Sequence, residues 1–309
     1  MDTSWSHITG IKQRINDKEV NVFLGIPYAQ PPLDAIRFRS SRPLFSATLF
    51  GYYAGRFKEN CWSTSSYDNL LDSPLVASKS ADGATWHPSS EDCLYLNLWS
   101  PVSVSSSSES KSAALNPVAV YIHPPEFDVS TWDGKSPAIA SQQVVVSFNY
   151  RSGLFGLIED DVMISDSGIL HDTRAVLTWI KENVHHFGGD SAKMTLIAGN
   201  WQSFSTDHVQ KLIDQLSEVR WKLFSPQSVA AVTWEDLNEV STIVGCDIPT
   251  GLRRIRAMNC LRSLYAKDLI QAYLTKNDSY TVDQAPGTFK RGESTNDIKL
   301  WKNIDRETL

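Results

Sequence analysis

Several places in the chain gather side chains able to move a proton, hold a metal or attack a carbonyl. Ser205, Asp207 and His208 lie close together, and a serine and a histidine three residues apart share one face of a helix. Nucleophilic catalysis asks for more: a serine on an elbow, a base oriented by the acid, and N–H donors facing the developing oxyanion. Neighbours on one helix supply none of these. His185 and His186 precede Phe187; consecutive residues at a helix end are expected to point in different directions, so a structural or surface role is expected and no metal site. Cys61, Cys93, Cys246 and Cys260 lack the close pairs and neighbouring histidines of a zinc centre. They read as disulfides, with buried free thiols as the alternative. Gly188-Gly189-Asp190 reads as a turn before a strand, and no glycine-rich phosphate cradle is present. Asn277-Asp-Ser279 is an N-glycosylation sequon. No cofactor is implied.

These residues need elements to position them. Val118–Ile122, Val144–Phe148 and Met194–Ile197 are continuous apolar runs of strand length, the pattern of a parallel sheet covered on both faces. Between the second and third, Val176, Leu177, Ile180 and Val184 recur at helical spacing within Thr173–Val184, as a right-handed crossover requires. Earlier β-type runs, Asn21–Leu24 and Leu94–Trp99, flank turn-rich sequence and predict a small antiparallel entry region. The serine-rich stretch 103–112 buries no apolar surface and reads as a solvated loop. From Glu235 to Ala272 the pattern is helical and broken around Cys246–Pro249, and the tail after Asn277 is polar. The fold class is α/β.

Composition bounds the function. With 309 residues, 41% hydrophobic, 21% charged and 10% aromatic, the chain is neither disordered nor collagen-like. Lys+Arg 29 against Asp+Glu 35 gives a net charge of −6, which disfavours nucleic acid and anionic membrane surfaces as partners. No run approaches the ~18 apolar residues of a membrane span, and Met1–His7 shows no basic start followed by an apolar run, so no export signal is visible.

Several segments together resemble the type-B carboxylesterase and cholinesterase family of α/β-hydrolases, which also includes the non-catalytic neuroligin-type adhesion domains. Phe23-Leu-Gly-Ile-Pro-Tyr-Ala-Gln-Pro-Pro32 with Arg37-Phe38 looks like the family's N-terminal signature, and Ser90-Glu-Asp-Cys-Leu-Tyr-Leu-Asn97 like its second. Asn149-Tyr-Arg-Ser-Gly-Leu-Phe-Gly156, Trp179-Ile-Lys-Glu-Asn-Val184 and Phe187-Gly-Gly-Asp190 resemble the stretch leading to the nucleophile. Val244-Gly-Cys246 and Cys260-Leu-Arg262 are similar to the next landmark. The resemblance covers roughly residues 10 to 272. It implies a mostly parallel central sheet with flanking helices and antiparallel N-terminal strands, incomplete on the C-terminal side. Residues 1–309 are then one truncated domain with a divergent tail over 277–309. It also implies the pairs Cys61–Cys93 and Cys246–Cys260.

The resemblance further implies where chemistry should reside. After the strand Met194–Ile197 the family shows Gly-x-Ser-x-Gly, whereas this chain has Ala198-Gly199-Asn200-Trp201-Gln202-Ser203. The nucleophile position falls on Asn200, or on Trp201 with one extra residue before Gly199, and neither carries an activatable hydroxyl. Trp201 and Gln202 are bulky for a tight elbow: either the elbow opens or Trp201 projects into the gorge, with simple core packing the plain alternative. After Val118–Ile122 the family has His-Gly-Gly-Gly, whose amides face the oxyanion; here stand His123, Pro124, Pro125 and Glu126. Proline has no N–H, Glu126 adds a negative charge, and one lost donor costs about 3–4 kcal/mol of transition-state stabilisation in a working enzyme. The histidines are 7, 87, 123, 171, 185, 186 and 208, so the base that follows the serine and acid in chain order has no candidate in its family position. The expectation is a catalytically inactive family member. It would act as a secreted binding or adhesion-type module with an extracellular protein partner, or as a carrier with a blocked pocket. A decayed fragment and a rearranged ester hydrolase are the competing readings. An unpaired apolar sheet edge predicts self-association.

Overall fold

Runs of Val, Ile and Leu long enough for a strand but too short for a helix form the centre of the molecule. The structure is a computed structural model that describes residues 1–3, 6–44, 51–63, 89–102, 114–124, 127–159, 164–165, 168–198, 220–223, 234–246 and 254–277. One mixed sheet is built from β1 (Ile11–Ile15), β2 (Lys18–Pro27), β3 (Tyr95–Pro101), β4 (Asn116–Ile122), β5 (Val144–Phe148), β6 (Gly189–Ala198) and β7 (Arg220–Leu223). Its spatial order is β7-β6-β4-β5-β3-β2-β1. β7, β6, β4 and β5 run parallel, and β3, β2 and β1 join antiparallel. The parallel centre and the antiparallel entry strands foreseen from the sequence thus belong to one sheet, with β2 and β3 longer than their apolar runs.

Side chains alternate across the pleat with period two. Val118, Val120 and Ile122 of β4 face one way with Val144, Val146, Met194 and Leu196, and Phe187 closes that layer. The helix α2 (Gly168–Asn183) covers it, presenting Ile169, Val176, Leu177 and Ile180. On the other face Ala119, Tyr121, Val145 and Ile197 meet Val20, Val22 and Trp99, beneath Ala138 of the short helix α1 (Lys135–Ser141). Fully burying each such aliphatic chain contributes roughly 1.5–3 kcal/mol.

α2 begins at Gly168, ahead of the Thr173 start read from the periodicity, because Ile169 extends the buried stripe. A Cβ at Gly168 would meet the Gly156 carbonyl oxygen at 2.6 Å, so the first turn packs directly on backbone. The helix continues into a 3-10 turn, Val184–Phe187, and Gly188 at φ 80° reverses the chain into β6.

A third apolar cluster lies apart from the sheet. The helices α3 (Trp234–Ile243), α4 (Arg254–Ser263) and α5 (Ala266–Asn277) bury Leu237, Val240, Met258, Leu261 and Ile270 against Phe38, Leu154 and Leu157. The helical reading of 235–272 holds for the described residues. Both cystine bridges are present, Cys61–Cys93 and Cys246–Cys260. No described helix is long and apolar enough to cross a membrane.

Candidate functional site

In open sheets with parallel strands, ligands are taken up beyond the carboxyl ends of those strands. Here that rim is formed by the ends of β4, β5 and β6. The register pairs Ala198 with Ile122, which sets the end of β6 level with the end of β4. Gly199, Asn200 and Trp201, the candidate elbow, lie outside the described residues, as do Pro125 and Glu126 and the trio Ser205, Asp207 and His208.

His123 is buried. Its ring stacks on Phe127 at 4.5 Å between centroids, meets Trp132 edge-on at 4.8 Å and lies parallel to Tyr121 at 6.4 Å. Trp132 in turn packs on Trp99 at 5.4 Å. Burial pushes the imidazole down from 6.5 to about 3, so at neutral pH the ring is uncharged and weakly basic. A general base works best with its pKa near the operating pH; His123 is far from that and walled in by rings. Its carbonyl is occupied too, accepting from the Tyr150 hydroxyl at 2.7 Å. Pro124 offers no N–H, and its carbonyl accepts the Phe127 amide at 2.9 Å.

The residues leaving β5 are equally committed. The Asn149 side chain donates to the Glu59 carbonyl at 3.0 Å, and the Tyr28 hydroxyl donates to the Asn149 carbonyl at 2.6 Å. Asn60 donates to Asp128 at 3.0 Å, and Asp128 accepts the Ser130 amide to cap the 3-10 turn Val129–Thr131. The cavity among His123, Phe127, Phe148, Asn149, Tyr150 and Asn60 measures about 20 Å³. That is room for one water and far below the several hundred Å³ of a small-molecule pocket.

His185 and His186 depart from expectation. Their rings lie 3.8 Å apart between centroids, because Val184 and Phe187 take the buried positions of the turn and leave both imidazoles on its outer side. Burial and the neighbouring His185 hold His186 below the ordinary value. Among the described residues no group of three or more His, Cys, Asp or Glu is arranged to hold a metal ion. Asn277 ends α5, and its side chain lies outside the description.

Charged groups the sequence reading did not single out form a seam behind the rim. Arg151 donates to both Asp172 oxygens at 3.0 and 2.8 Å and to the Arg39 carbonyl at 2.7 Å, while Asp172 also accepts the Arg151 amide and the Ser41 hydroxyl. Burial works against the Arg151 guanidinium, but the charge and hydrogen bonds of Asp172 more than offset it. Arg37 grips Glu91 through two 2.6 Å bonds; burial nonetheless raises the Glu91 carboxyl, with Arg37 opposing. Arg262 pairs with Glu159. Arg37, Glu91 and Arg151 were visible only as letters within quoted motifs, and partners separated by 54, 21 and 103 positions leave no signal in local spacing.

The model of the carboxylesterase family matches residues 1–292 of the chain. Carboxylesterase 5A of Canis lupus familiaris is 28% identical over 85% of this chain and 46% of its own length. Acetylcholinesterase of Danio rerio is 29% identical over 87% of this chain and 42% of its own. Lipase 2 of Geotrichum candidum is 30% identical over 86% of this chain and 50% of its own. The chain therefore spans about half the length of these curated relatives, or less.

Proposed function

The chain belongs to the carboxylesterase family, an α/β-hydrolase family, and on that premise we propose that it is a catalytically inactive member serving as a binding or adhesion-type module. One observation carries the reading: Ala198-Gly199-Asn200-Trp201-Gln202 stands where the family's elbow serine belongs, so no hydroxyl is presented for activation. The rim agrees with it. His123 is neutral and enclosed, Pro124 lacks a donor, and the nearest cavity admits one water. The partner is an extracellular protein, and two cystine bridges suit an oxidising, secreted setting. Asn277 is the glycan acceptor. Self-association proceeds along β7, whose far side meets no strand among the described residues, since an open strand edge is a template for pairing.

The test is covalent. The oxidised chain is incubated with a fluorophosphonate probe and assayed with a p-nitrophenyl ester beside a heat-killed control. The expected result is no adduct and no turnover above that control. A stoichiometric adduct on any serine overturns the proposal in favour of a rearranged hydrolase. Absence of cooperative unfolding, with no protected amides over residues 118–200, overturns it in favour of a decayed fragment.

A further inference from the structure

We propose that Arg37 joins the two disulfides into one redox unit, so that reducing either bridge makes the other easier to reduce. The Arg37 side chain is 5% exposed and reaches both bridge-bearing segments. On one side its Nε and Nη2 donate to Glu91 at 2.6 Å each. Glu91 stands two residues before Cys93, and the strand pair Asn60–Cys61 with Ser89–Ser90 holds that turn beside the Cys61–Cys93 bridge. On the other side its Nη1 donates to the carbonyls of Leu261 and Leu264 at 2.9 and 2.8 Å. These are at the C-terminal end of α4, directly after Cys260 and its bridge to Cys246. Arg262 returns a bond to the Arg37 carbonyl at 2.9 Å.

The segment carrying Arg37 is held, not relaxed. Asp34 at φ 46° and Phe38 at φ 59° both take left-handed backbone, which costs a side-chain-bearing residue energy and persists only where surrounding contacts impose it. Phe38 is fully buried and stacks on Phe155. The adjoining cavity, lined by Arg37, Glu91, Cys61 and Cys93, measures about 10 Å³, at the lower limit for one water. At most one water therefore fits beside the guanidinium while the fold is closed, too few to replace either set of acceptors. Opening either bridge frees one set of acceptors, lets the strained segment relax, and withdraws the guanidinium from the other set.

The chemistry is thiol–disulfide exchange with a dithiol reductant. Each bridge takes two electrons and two protons and becomes two thiols, while the dithiol closes to its own disulfide. Because the link is an equilibrium coupling, it acts equally in both directions. The inference does not depend on whether the rim turns over an ester.

The full oxidised chain is equilibrated in dithiothreitol redox buffers and quenched by alkylation, and each bridge is read by peptide mass spectrometry. Removing one bridge with Cys246→Ser and Cys260→Ser makes Cys61–Cys93 about tenfold easier to reduce, ~30 mV for a two-electron couple. Cys61→Ser with Cys93→Ser shifts the other bridge by the same factor. In an Arg37→Met background both shifts fall below about twofold. Identical reduction constants with and without the second bridge overturn the proposal, and so does coupling that survives Arg37→Met undiminished. If Arg37→Met fails to fold, Glu91→Gln is read instead. It keeps the α4 contacts and weakens the other arm, so unchanged coupling in that variant overturns the proposal as well.

Discussion

At the seam, Arg37, Arg151 and Arg262 have side chains no more than 5% exposed, and each faces a carboxylate, Glu91, Asp172 and Glu159 respectively. At the rim, His123 is as deeply placed but faces rings, and its response is to lose its charge. Burial alone disfavours a charge; what separates the regions is whether a counter-charge came with it. The seam ties segments remote in the chain into one body and keeps its ions paired. At the rim the Asn149 amide and the Tyr150 hydroxyl donate to backbone carbonyls, while the His123 ring lies among aromatic rings. Among the described residues the buried arginines of the seam keep their carboxylates, whereas the buried imidazole of the rim is packed against rings.

The largest effects should come from breaking the seam on one side only. Asp172→Leu leaves Arg151 buried without its carboxylate, and stability measured by urea unfolding should fall by ~3–5 kcal/mol. Adding Arg151→Met removes the orphaned charge and should restore much of the loss. A single variant as stable as the parent would deny the seam its holding role. Next come the bridges: unfolding after Cys61→Ala with Cys93→Ala, or Cys246→Ala with Cys260→Ala, should show losses of ~3–4 kcal/mol from the closed-loop entropies, the longer 32-residue separation costing slightly more than the 14-residue one.

The rim answers to pH. Folded His123 titrates at about 3 and its unfolded counterpart near 6.5. Between those values the unfolded chain binds a proton that the folded chain refuses, so stability falls as pH drops through this window, by ~1.4 kcal/mol per unit. His123→Phe removes the term while leaving the carboxylates common to both chains. The gap between wild type and variant should therefore shift by ~2 kcal/mol between pH 7 and pH 5, in the direction that favours the variant in acid. Parallel pH–stability curves would place His123 in water and undo the contrast with the seam.

How much of this was legible follows from the range over which each signal acts. Val118–Ile122 and Val144–Phe148 announce themselves because a strand buried on both faces needs an unbroken apolar run. The cystine pairing came with the family motifs, since four cysteines alone allow three connectivities. β2 outran its apolar run because Lys18 and Glu19 are held by pairing with Ile15 and Arg14, and Gly25 sits at a bulge where its amide donates to the Asn97 side chain, none of which has a hydrophobic signature. The seam was silent: an arginine reads the same whether it is solvated or paired 54 positions away. The first turn of α2 was missed because the buried stripe from Ile169 runs through the polar Asp172 and Thr173 before it reaches Val176.

The smallest expected effect is on turnover. On the proposed reading Asn200→Ser returns a hydroxyl to the elbow position, while among the described rim residues Pro124 has no N–H and the neutral His123 packs on Phe127 and Trp132. Hydrolysis of a p-nitrophenyl ester by this variant should stay at the level of the parent. Adding Pro124→Gly and Pro125→Gly gives those two positions N–H groups, but donors alone leave the hydroxyl without a general base, whose proton transfer contributes about 10²–10⁴ in rate. The combined variant should therefore remain silent as well. Measurable turnover by Asn200→Ser alone would mean that an unidentified base reaches the elbow, and the rim would then be a site one residue short of working, no longer the counterpart of an intact seam.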